Sequence, residues 1–315
     1  MTYESNLEAG NPRRRTAERQ SFDASNERPS LICYKRSVLE TAQFGAGARA
    51  SRRGKYEQRI FWQVLGSEDR QRGRRVSLLY LVRHGQASFF EENYDRLSPL
   101  GERQARRLGE FFAARQLKFD AVYSGPAERQ KRTAAIVAET LAAAGLPCPA
   151  LTVVDGLNEH GGDKLLSKPH MQMVLEKYPE LGGLEQAFRQ AREPEDVQKS
   201  FQKLFEAAVL LWTRGEISPP GMELWDEFHS RARRAFDSII SHPGRGKTTL
   251  AVSSVGPISV AVQMALGTSI PVSLDLGWRL RNASVTTFLY TPGRFNLDSF
   301  NSLAHLADPE EITYR

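Results

Sequence analysis

Arg83-His84-Gly85-Gln86 closes a short apolar run, Val76 to Val82, and sets an imidazole beside a guanidinium where glycine lets the backbone turn tightly. A neutral imidazole there can attack phosphorus with one ring nitrogen, provided an acceptor on the other fixes the tautomer. Arg83 offers a planar fork of donors to phosphate oxygens. Further along, Ser124-Gly125-Pro126-Ala127-Glu128-Arg129 puts a second arginine near the start of a helix, where backbone donors and the helix dipole favour an anion. Leu157-Asn158-Glu159-His160 follows a third apolar run. A carboxyl group there can protonate a leaving oxygen and afterwards activate water. Taken singly, these groups read as well as a strand-end histidine, a solvated arginine and a loop glutamate.

The elements that must position them follow from apolar spacing. Val76 to Val82 has the continuous apolarity of a strand buried on both faces. Ser98-Pro99 opens a helix with inner positions Leu100, Ala105, Leu108, Phe111 and Phe112. Strands are predicted at Phe119 to Ser124, Leu151 to Val154, Thr248 to Ser253, Ser284 to Tyr290 and, last, Arg294 to Phe300. Helices follow Gly125-Pro126 and Pro257, the latter stopped by Gly267. Between residues 161 and 245 the spacing is helical only, with Val197, Phe201, Leu204, Phe205, Ala208 and Trp212 on one face and Leu224, Phe228, Ala232, Ala235 and Ile239 on another. The predicted fold is α/β: a three-layer, doubly wound, mostly parallel sheet with helices on both faces and an inserted helical cap at about 161–245. In such a sheet ligands sit beyond the carboxyl ends of the strands, where the three groups fall.

In order and spacing, Arg83-His84-Gly85-Gln86, Leu97-Ser98-Pro99-Leu100-Gly101-Glu102, Ser124-Gly125-Pro126-Ala127-Glu128-Arg129 and Leu157-Asn158-Glu159 resemble the histidine phosphatase superfamily, which includes phosphoglycerate mutases and many small-molecule phosphatases. Gly221-Met222-Glu223 with Arg231, and Asn282-Ala283-Ser284-Val285-Thr286, extend the resemblance over about residues 76–307. The resemblance implies that His84 forms a phosphohistidine, that Arg83 and Arg129 clamp the phosphoryl oxygens, and that Glu159 is the proton donor. It places Gln86, Ser98 and Asn282 at or beside the pocket, with no metal or cofactor because arginines supply the positive charge.

One departure stands out. Where the family carries a second histidine, this chain reads Val252-Ser253-Ser254-Val255-Gly256-Pro257, so Ser254 takes its place as a phosphate donor. A hydroxyl gives one neutral hydrogen bond, roughly half as strong as a charged one. Among the remaining histidines (His160, His170, His229, His242, His305), His160 is the best placed by sequence to compensate. Three activities stay open: hydrolysis of a small phosphomonoester, binding of phosphorylated ligands or proteins by a catalytically impaired relative, and mutase-type phosphoryl transfer.

Composition narrows the surroundings. Residues 1–75 hold 16 Lys+Arg against 9 Asp+Glu, whereas the remaining chain is near neutral despite the overall +6. The basicity therefore belongs to a leading extension, expected to be disordered or to reflect a start set too early, and nothing suggests a nucleic-acid-binding face on the main body at 76–315. No apolar run approaches the roughly 20 residues of a membrane span. Two cysteines, Cys33 and Cys148, make neither a disulfide framework nor a metal site, and fit a reducing, cytoplasmic setting. The expected partner is a small phosphorylated substrate, with a homodimer conceivable through sheet edges.

Overall fold

The computed structural model describes residues 76–88, 95–241 and 246–314. The basic extension at 1–75, Cys33 and His242 lie outside the described residues. A six-stranded sheet runs in the order β3-β2-β4-β1-β5-β6. Its strands are β1 (Ser77–Arg83), β2 (Ala121–Ser124), β3 (Leu151–Val153), β4 (Thr248–Ser253), β5 (Val285–Thr291) and β6 (Arg294–Ser302). The first four are parallel neighbours, with Arg83 opposite Ser253 and Ser124 opposite Val252. β5 pairs antiparallel with β1, and β6 antiparallel with β5, forming the hairpin edge of the mostly parallel sheet expected from the sequence.

Strand periodicity divides the core into two faces. Leu79, Leu81, Ala251 and Phe288 point to one, where they meet α6 (Trp225–Ser241) and α7 (Val255–Leu266). Val82, Val122, Leu250 and Val252 point to the other, against α1 (Pro99–Ala114) and α2 (Glu128–Ala143). Ser98 caps α1 by accepting from the Gly101 amide, ahead of Pro99 in the first turn, as its sequence predicts. α7 stops where Gly267 adopts a left-handed conformation, φ +64°.

A further cluster joins Leu165, Met171, Leu204, Ala208 and Trp212 to the first half of α6. It is built from α3 (Lys168–Lys177), α4 (Gly182–Gln190) and α5 (Pro194–Thr213), the first two not individually foreseen. α6 serves both interiors: Trp225, Phe228 and Ala232 pack into this cluster, while Ala235, Phe236 and Ile239 pack under the sheet. Val197, expected on the inner face of α5, is exposed, because the buried part of that helix begins only at Leu204. A helix absent from the sequence reading, α8 (Ile270–Trp278), follows α7. Among the described residues, no helix is long and apolar enough to cross a membrane.

Candidate active site

The strand order decides which loops meet. Because β3, β2, β4 and β1 are adjacent and parallel, the segments leaving their carboxyl ends share one edge. Those segments carry Glu159, Arg129, Ser254 and His84 respectively.

His84 is buried and held at its backbone from three sides. Its amide donates to Ser253 O at 2.9 Å. Its carbonyl accepts from the Ala283 amide at 3.1 Å and from Asn282 Nδ2 at 3.3 Å. Nδ1 lies 2.7 Å from Gly85 O. A carbonyl can only accept, so Nδ1 carries the proton and a neutral ring presents its lone pair at Nε2. Arg129 Nε approaches that lone pair at 3.2 Å. Burial first, then the charges of Arg129 and Arg83, hold the His84 pKa well below the ordinary histidine value. The ring is thus kept neutral, as a nucleophile must be.

The two arginines differ in what they touch. Arg129 reaches His84 with Nε and Asp95 with Nη1, at 2.6 Å, while the other Asp95 oxygen accepts the Glu128 amide at 2.8 Å. Arg83, buried at the end of β1, donates from Nη1 to Leu280 O at 2.6 Å. Its charge reaches His84, and one of its terminal nitrogens is committed to the backbone.

Glu159 sits at the amino end of α7. Both carboxylate oxygens accept from the Gly256 amide, at 3.1 and 3.2 Å, and one also accepts from the His160 amide at 3.0 Å. Arg231, on α6, holds this loop through its carbonyls. Nη1 donates to Gly156 O (3.1 Å) and Asn158 O (2.9 Å), Nη2 to Glu159 O (3.3 Å), and Glu223 grips the guanidinium through Nε (2.8 Å) and Nη2 (2.6 Å). Sequence spacing paired Glu223 with Arg231 and was silent on their use. The bond partners are carbonyls more than seventy positions away, which no local pattern encodes.

Ser254 is buried, and its Oγ accepts from Gln130 Nε2 at 2.8 Å. Gln130 also donates to Leu157 O at 3.2 Å, so the serine is tied to the loop that carries Glu159. The hydroxyl proton is what Ser254 can still offer a phosphoryl oxygen.

Other sequence candidates brace rather than line. Ser98 Oγ donates to Gln86 Oε1 at 2.8 Å while capping α1, so these two spend their side chains on each other. Asn282 holds the His84 carbonyl and accepts from Thr313 Oγ1 at 2.9 Å. His160, best placed by sequence to compensate for Ser254, lies against Glu159 and the cap's aromatic rings. Its Nε2 lies 3.6 Å from Glu159 Oε1, and its ring packs on Trp212, Phe228 and Phe205. His170, His229 and His305 bond elsewhere: to Lys164 O and Ser167, to Gln263, and to the Ala283 backbone. Asp95 escaped the sequence reading, which marks Thr133 only as lying on the Arg129 helix. Asp95 follows a segment without periodicity, and Thr133 links the two halves by accepting from the Gly85 amide (3.1 Å) and donating to Arg129 O (2.7 Å).

Comparisons with known proteins bear on the family of this chain. Residues 79–209 and 189–303 match the family model described as histidine phosphatase superfamily (branch 1). A 2,3-bisphosphoglycerate-dependent phosphoglycerate mutase from Azorhizobium caulinodans is 31% identical over 182 residues, spanning 55% of this chain and 73% of the mutase. Among solved structures, the mycobacterial glucosyl-3-phosphoglycerate phosphatase bound to inorganic phosphate aligns at 22% identity and a TM-score of 0.48, over 73% of this chain and 99% of that one. A phosphoserine phosphatase from Entamoeba histolytica in complex with 3-phosphoglyceric acid aligns at 19% identity and 0.47, over 73% and 99%.

Proposed function

Since this chain belongs to the histidine phosphatase superfamily, branch 1, whose members include phosphatases and mutases, we propose that it hydrolyses a small phosphomonoester through a phosphohistidine on His84. The observation that carries this reading is the pair of bonds on one imidazole: Nδ1 to Gly85 O, and Nε2 facing Arg129 Nε. The Nε2 lone pair attacks phosphorus and the ester P–O bond breaks. The leaving oxygen takes a proton from Glu159. Water then gives its proton back to Glu159 as it attacks the phosphohistidine, releasing inorganic phosphate and the free ring. Arg83 and Arg129 offset the charge on the transferring group. Ser254 contributes one neutral donor where relatives use a histidine, and losing a well-placed donor costs roughly 10²–10³ in rate. Slow turnover is the expected signature.

Two other readings each have an observation behind them. The serine at position 254 suits a protein that binds phosphorylated ligands without turning them over. The identity to a phosphoglycerate mutase suits transfer between phosphate isomers, with little release of phosphate. The deciding experiment is incubation with a labelled aryl phosphate. Acid-labile label on the wild type that is absent from His84→Ala, together with phosphate release, supports hydrolysis. Binding without label supports the second reading. Full turnover by His84→Ala sinks the assignment of the nucleophile.

A further inference from the structure

A cleft of about 470 Å³ opens beside Glu159. Its walls are Pro126 from the turn before α2, the loop residues Asp155, Asn158, Glu159, Gly161 and Lys164, the segment Gly221–Glu223, and Arg231. Resting on the reading of Glu159 as proton donor, this is where the group that departs from phosphorus must sit. We infer that this cleft accepts an uncharged, hydroxyl-rich leaving group, such as a sugar or polyol, and rejects a carboxylated or aminated one.

The cations of the wall are already engaged. Every kind of donor on Arg231 is bonded to protein: Nε to Glu223, Nη1 to the Gly156 and Asn158 carbonyls, Nη2 to Glu223 and the Glu159 carbonyl. Glu223 also cancels its charge at 2.6 Å. Lys164 Nζ is drawn to Gly221 O at 2.7 Å, which ties its ammonium to one wall. An incoming carboxylate would have to compete for that ammonium while meeting the Asp155 carboxylate in the same cleft. Like charges brought together in this way cost affinity. An incoming ammonium would face the Lys164 ammonium, with the Asp155 carboxylate to set against it.

A hydroxyl meets neither objection. Asp155 accepts hydrogen bonds, and the Lys164 ammonium can donate to a hydroxyl oxygen without asking for a full charge in return. Pro126, Met222 and the Lys164 methylenes offer apolar surface to the C–H face of a ring. A cavity of this size falls within the range that encloses small organic ligands, with space beyond a three-carbon acid.

The test separates the cleft from the chemistry. Binding of glucose 6-phosphate, 3-phosphoglycerate and phosphoethanolamine is measured by calorimetry on His84→Ala, and kcat/KM for the same three on the wild type. Glucose 6-phosphate is expected to lead both others by about tenfold or more in each measurement. In Asp155→Lys the ratio of glucose 6-phosphate to 3-phosphoglycerate should fall by roughly tenfold, and the ratio is read so that any general loss cancels. Tighter binding or faster turnover of 3-phosphoglycerate or phosphoethanolamine overturns the inference and leaves the phosphohistidine reading standing. A glucose 6-phosphate preference in binding, with no label on wild-type protein from an aryl phosphate, upholds the inference about the cleft and removes the hydrolytic reading instead.

Discussion

Arg129 Nε lies 3.2 Å from His84 Nε2, so a positive charge faces the lone pair that the proposed reaction turns on phosphorus. The contact has an electrostatic consequence as well as a geometric one, because Arg129 is the largest charge depressing the His84 pKa after burial itself. The neutral, nucleophilic ring therefore persists as pH falls below the ordinary histidine range. In Arg129→Gln one of the depressing charges is gone and the pKa rises. The acid limb of the kcat/KM profile should move to higher pH, with kcat/KM at neutral pH lower by about 10²-fold or more. An acid limb that stays where it was would mean that the ring is not what titrates.

Asp95 takes the other end of the same guanidinium, at 2.6 Å, and the Glu128 amide with it. Asp95→Asn keeps the shape and removes the charge. Arg129 should then grip phosphate more readily, so inorganic phosphate should inhibit at a concentration about threefold to tenfold lower. If the inhibition constant rises instead, the carboxylate orients Arg129 rather than competing for it.

Ser254, proposed to take the place of the second histidine, accepts a hydrogen bond from Gln130 at its oxygen. Ser254→Ala removes the hydroxyl proton and should slow label incorporation by about tenfold or more, at a stability cost of about 1 kcal/mol. Ser254→His should raise kcat above wild type, measured by phosphate release. A histidine variant slower than the alanine one would show that the surrounding pocket has been rebuilt around the smaller residue.

Arg231 holds the carbonyls of Gly156, Asn158 and Glu159 at once. Arg231→Met leaves those carbonyls and Glu223 without their donor. The expected loss is about 2–3 kcal/mol in denaturant unfolding, with a larger fall in kcat than in KM for aryl phosphate. Arg231→Lys should recover little, because a point charge on one stem cannot reach three carbonyls and a carboxylate together.

His305 is buried against Phe111, and its Nε2 has no hydrogen-bond partner among the described residues. Burial lowers its pKa to about 4. An unfolded chain takes up this proton near the ordinary value of about 6.5 whereas the folded one resists until about 4, so stability is full above the higher value and is lost as pH falls between them. Complete protonation should cost about 3 kcal/mol. His305→Phe should flatten the acid side of the stability curve, followed by urea midpoints between pH 7.5 and 4. An equally steep decline in the variant would assign the loss to other groups.

Much of this site was legible along the chain because its parts are local. The apolar run before Arg83, the Ser98-Pro99 cap and the Gly267 stop are each decided by neighbours within a turn, and they fix where β1, α1 and α7 begin or end. His84, Arg129 and Glu159 could be named because they sit at strand ends, and adjacent parallel strands bring such ends together. What could not be read is partnership across the fold. Gln86 and Ser98 were placed at or beside the pocket, but the bond between their side chains beside the Ala87–Leu97 bridge could not be read. His160 was singled out beside Glu159, but the aromatic rings of α5 and α6 that pack on it could not be read. In each case the deciding neighbour comes from tertiary packing, which overrides what residue type alone suggests. The Ile270–Trp278 helix was missed for a different reason: its short apolar stretch is too brief for period to distinguish helix from strand.

Because α6 runs unbroken from the Trp225 end, among the cap's aromatic rings, to Ile239 beneath the sheet, the wall that carries Arg231 is a rigid rod seated in two interiors at once. Tilting that wall outward would open both hydrophobic seats together. The Arg231 side of the cleft beside Glu159 is therefore a fixed edge, so that exchanging side chains along it, rather than swinging it, is the way its fit would change.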